Sequence, residues 1–447
     1  QSSRERLPRA HRVLRAASRP MRRPLLPSRR GAVLEKVIGR TSNKGASVAQ
    51  SVFNLTKNIL GIGVLSLPAA VAAGTGLAPA VLLTVALGMY SGYTFSLYGR
   101  VCEATGERNF NGLGLSTSGP RWANAMTWAC TVRTVFSCLA FSIVVADSFS
   151  TILQGFGAPA ALCARNAVLG GITLFVLLPI CLLPDLSALS RISFLGVSAM
   201  AYTMVFMIIR CLDGSYAPGG SFFEDALQAG AASGSWAVNI STLVLVSSLG
   251  TACSAHYNAP RYFDQLRDRS VGRFNVMVGV AFTLVVGMCL AFMCAGYLTF
   301  GAACKGNILL NYSARDPLAT AARIAVSSSV VCTYPLAFTG LRDGVMSLTG
   351  MRASTRNFRL TSVGLLALVT SLALAIRNVA FVVNLGGAIF GALTVYIFPS
   401  VLYLLLPGRR AGAEAQVAKV TVTSGVLLAV LGSTVAVLQE FFPGKLR

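Results

Sequence analysis

The chain has 447 residues, of which 54% are hydrophobic and 12% charged, with 38 Lys/Arg against 15 Asp/Glu. That charged fraction is about half of what a soluble globular protein carries, and a mean hydropathy of +0.66 excludes one. Two histidines, and 11 cysteines without a CxxC or Cys/His cluster, indicate no metal site or cofactor and leave little for enzyme chemistry.

The chain opens on "QSSRERLPRAHRVLRAASRPMRRPLLPSRR", part of a basic segment over residues 1–46. It has no apolar core of a secretory signal. It reads as a transit peptide, as a segment held against anionic lipid, or, as the plainer expectation, as a disordered arm or sequence upstream of Met21. From residue 47 to 447 apolar runs recur, each long enough to cross a hydrocarbon layer of about 30 Å. Eleven spans are predicted, near 47–73, 77–99, 123–152, 166–183, 192–210, 234–255, 275–300, 317–340, 360–376, 380–406 and 420–438. The expected fold is an all-α polytopic membrane protein.

Charge distribution argues against a nucleic-acid partner. With the N-terminus in the cytosol, the tail and the loops after even-numbered spans hold 28 of the 38 basic residues. This positive-inside asymmetry predicts a cytosolic N-terminus and a non-cytosolic C-terminus. Cys163, Cys211 and Cys304 then share the non-cytosolic side, where one disulfide is expected to be possible. The sequon at Asn311 falls there too and is the expected glycosylation site.

The first span is interrupted by "NLTKNILGIGVLSLPAA" (54–70), with Gly61, Gly63 and Pro68 inside an otherwise apolar helix. "GIGVLS" approaches a dinucleotide fingerprint, but no strand–turn–helix context surrounds it. Unwound backbone persists at membrane depth only where it lines a protected cavity. A second interruption, "SLGTACSAHYNAP" (248–260), breaks the sixth span. Spans 1–5 (47–210) and 6–10 (234–406) therefore each begin on a broken helix. An odd number of spans per half inverts the second half, and paired breaks of this kind mark a transporter site between inverted repeats. Span 11 (420–438) is extra. Against this stands the plainer reading that small residues let helices pack closely.

"LTKNILGIGVLSLPAAVAAGTG" resembles the first helix of the amino acid/auxin permease family. Also similar to that family, in order, are "ICLLPDLSALSRIS" (180–193), "SAHYNAPRYFDQLRDRSVGRF" (254–274), "AGYLTFGAACKGNILLNYS" (295–313) and "GGAIFGALTVYIFPSVLYL" (386–404). The resemblance covers about residues 47–440. It implies the leucine-transporter fold for the first ten helices and amino acid movement driven by a cation gradient. The expected partners are thus a small-molecule amino acid and membrane lipid. A zwitterion needs N–H donors for its carboxylate and carbonyls for its ammonium, which unwound backbone supplies. Asn58, Gly61, Ile62, Gly63, Ser247, Gly250, Thr251 and Ser254 are the expected substrate-binding residues.

For coupling, Lys57 looks like the proton-coupled and vacuolar branches of the family, and Asn58 like the sodium-coupled branch. Ser327 and Ser328 in "SSSVVCTYP" (327–335) could complete an oxygen-rich sodium site. Asp147, the acid well inside a span, is an expected proton carrier, or one half of an outer gate with Arg323, since charge at membrane depth is costly. Arg133 lies too far along the third span to pair with Asp147, and His256 is expected to bond structurally. The reading is a proton-coupled transporter of neutral amino acids in a vacuolar, lysosomal or plasma membrane. Sodium coupling and a non-transporting amino acid sensor are the alternatives.

Overall fold

In the computed structural model, residues 45–183, 193–223, 236–352 and 354–442 are described. The basic tail, residues 184–192 of the "ICLLPDLSALSRIS" stretch and the start of the expected sixth span lie outside them. Ala46–Arg447 form one compact unit.

Local chemistry sets where the first helix begins and stops. Ser47 accepts the Gln50 N–H at 3.2 Å, and the Gln50 side chain accepts the Ser47 N–H at 3.1 Å. This capping box starts α1 (Val48–Ile59). At Gly61 the backbone is extended (φ −113°, ψ −172°). The chain then resumes as α2 (Ile62–Ala72), bent by 48° from α1 and beginning with a 3₁₀ stretch over Ile62–Ser66. Pro68 sits in the first turn of the α-helical part, where its missing N–H has no intrahelical partner to lose.

The first half continues as α3 (Leu77–Thr105), α4 (Phe110–Ser118), α5 (Pro120–Gly155), α6 (Arg165–Cys181) and α7 (Ser193–Leu212). The second half comprises α8 (Thr242–Ala252), α9 (Ala259–Gln265), α10 (Val271–Phe300), α11 (Pro317–Leu348), α12 (Thr355–Ala375) and α13 (Val379–Leu405). α14 (Ala413–Phe441) follows. Residues Gly387–Ile397 of α13 are π-helical. By length and apolar composition 7 of these helices can cross a membrane, and the bent α1–α2 pair makes up to 8. Helix α6, the Gly196–Leu212 part of α7, and α8 are shorter, so that measure does not reach eleven crossings among the described residues. Helix α4 was not expected. Its cap is Asn109, whose side chain accepts the Gly112 N–H at 2.7 Å, and it packs on α5.

Helix α11 runs against α5, α10 against α3, and α14 against the π-helical part of α13. At one end of the bundle the two broken helices are tied together. Ala46 donates to Gln265 O at 2.9 Å and accepts from Arg267 N–H at 3.0 Å, while the Tyr262 hydroxyl donates to Asn54 O at 3.0 Å. At the other end Arg210, in the last turn of α7, grips Asp316 with two bonds of 2.8 Å. Asp316 also caps α11 through the Leu318 N–H at 3.0 Å and accepts the Tyr216 hydroxyl at 3.0 Å. A bidentate guanidinium pair of this kind fixes geometry as well as charge.

Candidate functional site: the two broken helices

Both predicted interruptions are breaks in the structure, and they touch. A Cβ built on Gly63 would lie 3.4 Å from Ala252 Cα and 3.4 Å from Thr251 Cγ2, at the point where α8 ends. Gly63 thus lets two backbones approach. Among the described residues, the N–H groups of Gly61, Ile62 and Gly63 find no acceptor, and the first bond past the break is Val64 N–H to Gly61 O at 3.4 Å. A buried donor left unpaired costs about 1–3 kcal/mol, so an anionic group placed there would be stabilised by three donors and the helix dipole. The Gly63 carbonyl is already used by the Ser66 hydroxyl at 2.8 Å. Gly61 is open on its side-chain face, with Ile59 O at 4.0 Å the nearest atom to a built Cβ.

The second break is cross-linked to its neighbours. Past Ala252 the chain turns through Cys253–Ala255 into a 3₁₀ turn at His256–Asn258 and then α9. Thr251 donates to Val383 O at 2.8 Å, and Ser248 donates to Asn384 Oδ1, both on α13. Arg133 of α5 donates to Ser254 O at 3.1 Å and stands 5.1 Å over the Tyr257 ring. His256 is fully buried, with Nε2 3.0 Å from Ser91 O and 3.2 Å from Thr94 Oγ1 and its ring edge-on to Phe95, Tyr98 and Phe282. That is structural bonding, as expected.

The expected substrate residues divide. Gly61, Ile62, Gly63 and Thr251 meet at the junction of the breaks. The Ser254 hydroxyl is buried without a partner just beyond it, and so is the Asn58 amide nitrogen one turn before it. Ser247 and Gly250 instead face α13 and α14. A Cβ on Gly387 would overlap the Ser247 carbonyl, one on Gly250 would lie 3.1 Å from Gly387 O, and one on Gly432 would lie 2.7 Å from Ser247 Oγ. For these two residues close helix packing explains the small side chains. Ser327 is fully buried with an unpartnered hydroxyl, and Ser328 is partly buried on α11. Asn384 was not anticipated. Its signal was an amide within the apolar run "FVVNLGG".

Three expectations are corrected. Asp147 pairs with Arg165 at 2.6 Å, and Arg165 also donates to Ala373 O at 3.0 Å. Arg323, 1% exposed, donates instead to the carbonyls of Leu309, Tyr312 and Ser313 at 2.6–3.2 Å. The Asp147–Arg323 gate is therefore absent here, because each charge is satisfied by a nearer group. Asn311 is 2% exposed, its amide donating to Ala303 O and accepting from Lys305 N–H at 2.8 Å each, so its side chain is unavailable to a glycosyltransferase. No disulfide joins Cys163, Cys211 and Cys304, and Cys163 and Cys304 donate to the carbonyls of Ala158 and Gly296.

Two discontinuous helices that meet inside a helical bundle define the leucine-transporter fold. A solved structure of Mhp1 in an inward-facing conformation superposes with a TM-score of 0.59 at 11% identity, covering 89% of this chain and 90% of that one. The chain belongs to the family of transmembrane amino acid transporter proteins, which matches residues 44–438. It is a multi-pass membrane protein of a transporter family and not of an enzyme family. It is 22% identical over 418 residues to vacuolar amino acid transporter 2 of Saccharomyces cerevisiae, covering 90% of this chain and 85% of the relative. It is 24% identical over 396 residues to sodium-coupled neutral amino acid symporter 2 of Danio rerio, covering 83% and 78%.

Proposed function

We propose that this protein carries neutral amino acids across a membrane by alternating access, holding the substrate between the two breaks. The observation that carries the reading is the group of unpartnered N–H donors at Gly61, Ile62 and Gly63, set against the end of α8. The carboxylate lies on those donors, the ammonium on carbonyls freed by the breaks, and the side chain toward Thr251 and Ser254. Uptake of labelled amino acids into proteoliposomes tests this, and binding without movement of any of the twenty would overturn it in favour of a sensor.

The coupling ion in this reading is a proton. Lys57, one turn before the break, has no acidic partner among the described residues, and a fixed ammonium there opposes a second bound cation. Sodium is the second reading, favoured by the buried, unpartnered Ser327 hydroxyl, an oxygen of the kind a hard cation takes. Counterflow with choline replacing sodium, against an imposed pH gradient, separates the two. The proposed residence is a vacuolar or lysosomal membrane, or the plasma membrane, with the N-terminus in the cytosol as the basic loops favour.

A further inference from the structure

A cavity of about 350 Å³ lies where α2, the starts of α8 and α13, and the end of α14 meet. That volume is at the small end for ligand sites. Its apolar wall includes Ala73 and Phe381, and its polar groups include Asn384, Gln439 and Glu440. One Glu440 oxygen accepts from Asn378 Nδ2 at 2.7 Å, and the carboxylate has no basic partner among the described residues. The Gln439 amide has no partner there either. Asn384 is 5% exposed, and its oxygen accepts from Ser248, which leaves its N–H donors for the cavity.

A carboxylate with no basic partner among the described residues, beside two amides with unused donors and over a small apolar wall, complements a molecule bearing an ammonium and a carboxylate at once. A bare metal ion fits poorly, because hard cations need several oxygens within about 2.0–2.6 Å and the cavity is far wider. We propose that this cavity is a second amino acid site, in series with the one between the breaks. Glu440 takes the ammonium and the amides of Asn384 and Gln439 take the carboxylate. The inference rests on the reading that the chain carries amino acids. The cavity also bears on the breaks directly. Asn384 is bonded to Ser248, and its neighbour Val383 to Thr251, so a ligand on Asn384 leans on the helix that ends at the second break.

The test is binding stoichiometry for the full chain in nanodiscs, with tritiated alanine and tritiated glutamine as separate probes. Wild-type protein should bind two equivalents. Glu440→Gln should bind one, and so should Ala73→Trp, which fills the cavity without touching the carboxylate. Glu440→Asp should keep two, with the weaker site shifted several-fold. Gly61→Leu should lose the other equivalent, and Gly61→Leu with Glu440→Gln should bind none. One equivalent in wild type that survives both Glu440→Gln and Ala73→Trp overturns the second site and leaves the carrier reading standing. No binding to wild type overturns both.

Discussion

At the first break Gly61 faces open space, and three backbone donors in a row have no acceptor among the described residues. At the second, within a similar length of chain, Thr251, Ser248 and Ser254 are bonded to α13 and α5, and Tyr257 lies under a guanidinium. Both segments have small residues and a proline, yet one leaves its backbone free while the other is held from two sides, by α13 and α5. A broken helix serves a ligand where its polar groups are unspent. Where neighbouring helices have taken them up, the same break sets position. On the proposed reading, the first break receives the substrate's carboxylate, and the second frames it and meets the substrate's side chain.

Changes at Gly61 should break this contrast most severely. Because a Cβ at Gly61 would meet only Ile59 O, at 4.0 Å, Gly61→Leu should leave the fold standing while amino acid binding and uptake disappear. Normal affinity in a monodisperse Gly61→Leu protein would mean that the first break does not hold the ligand. Gly63 is a less clean probe, since a Cβ there already touches α8 at 3.4 Å. Gly63→Ala should weaken binding by roughly tenfold or less, about 1.4 kcal/mol.

Next comes Arg133→Gln, which strips the second break of its cation. A charged hydrogen bond contributes about 1.5–3 kcal/mol and the ring contact about 0.5–1 kcal/mol. Turnover should fall by about thirty-fold or more, with binding affinity changed less. A larger loss of affinity than of turnover would mean that Arg133 holds the ligand rather than the break. Thr251→Val, which keeps shape and removes the bond to Val383 O, should cost about 1 kcal/mol in thermal stability measurements and shift which amino acid side chains are accepted.

Two further measurements address the charges. In a double-mutant cycle, Asp147→Asn and Arg165→Gln should couple by about 0.5–3 kcal/mol, as contacting residues do. Asp147→Asn and Arg323→Gln should be additive, and coupling between them would restore the gate. Glycosidase treatment of protein from a glycosylating host should leave its gel mobility unchanged on account of Asn311.

The breaks were legible because glycine and proline inside an apolar run contradict what lipid demands of backbone, a conflict visible in one dimension. Which way Ser247 and Gly250 face was not. Spacing places residues on a helix surface but does not say which neighbour that surface meets, and here α13 and α14 claimed it. The Asp147 partner was missed for a related reason. Arg165 lies just outside the expected fourth span, 166–183, yet it begins α6 and reaches back to Asp147 and across to Ala373. Arg323 looked like an unpaired ion because carbonyl acceptors leave no trace in side-chain identity. Asn384 was hidden among apolar neighbours, although a lone amide in such a run is costly enough to be a signal.

The π-helical stretch of α13 bears on how this chain can change in length. Bonds that close from i to i+5 accommodate an additional residue between the same two ends. Loss of residues between Gly387 and Ile397 would therefore relax the segment toward α winding, with less rotation of what lies beyond it than an α-helix would suffer. In an ordinary α-helix the loss of one residue turns everything beyond it by about 100°. Insertions and deletions, elsewhere a scrambling of faces, become here a change of pitch, with Gly387 and Gly391 against α8 as the points about which the helix winds.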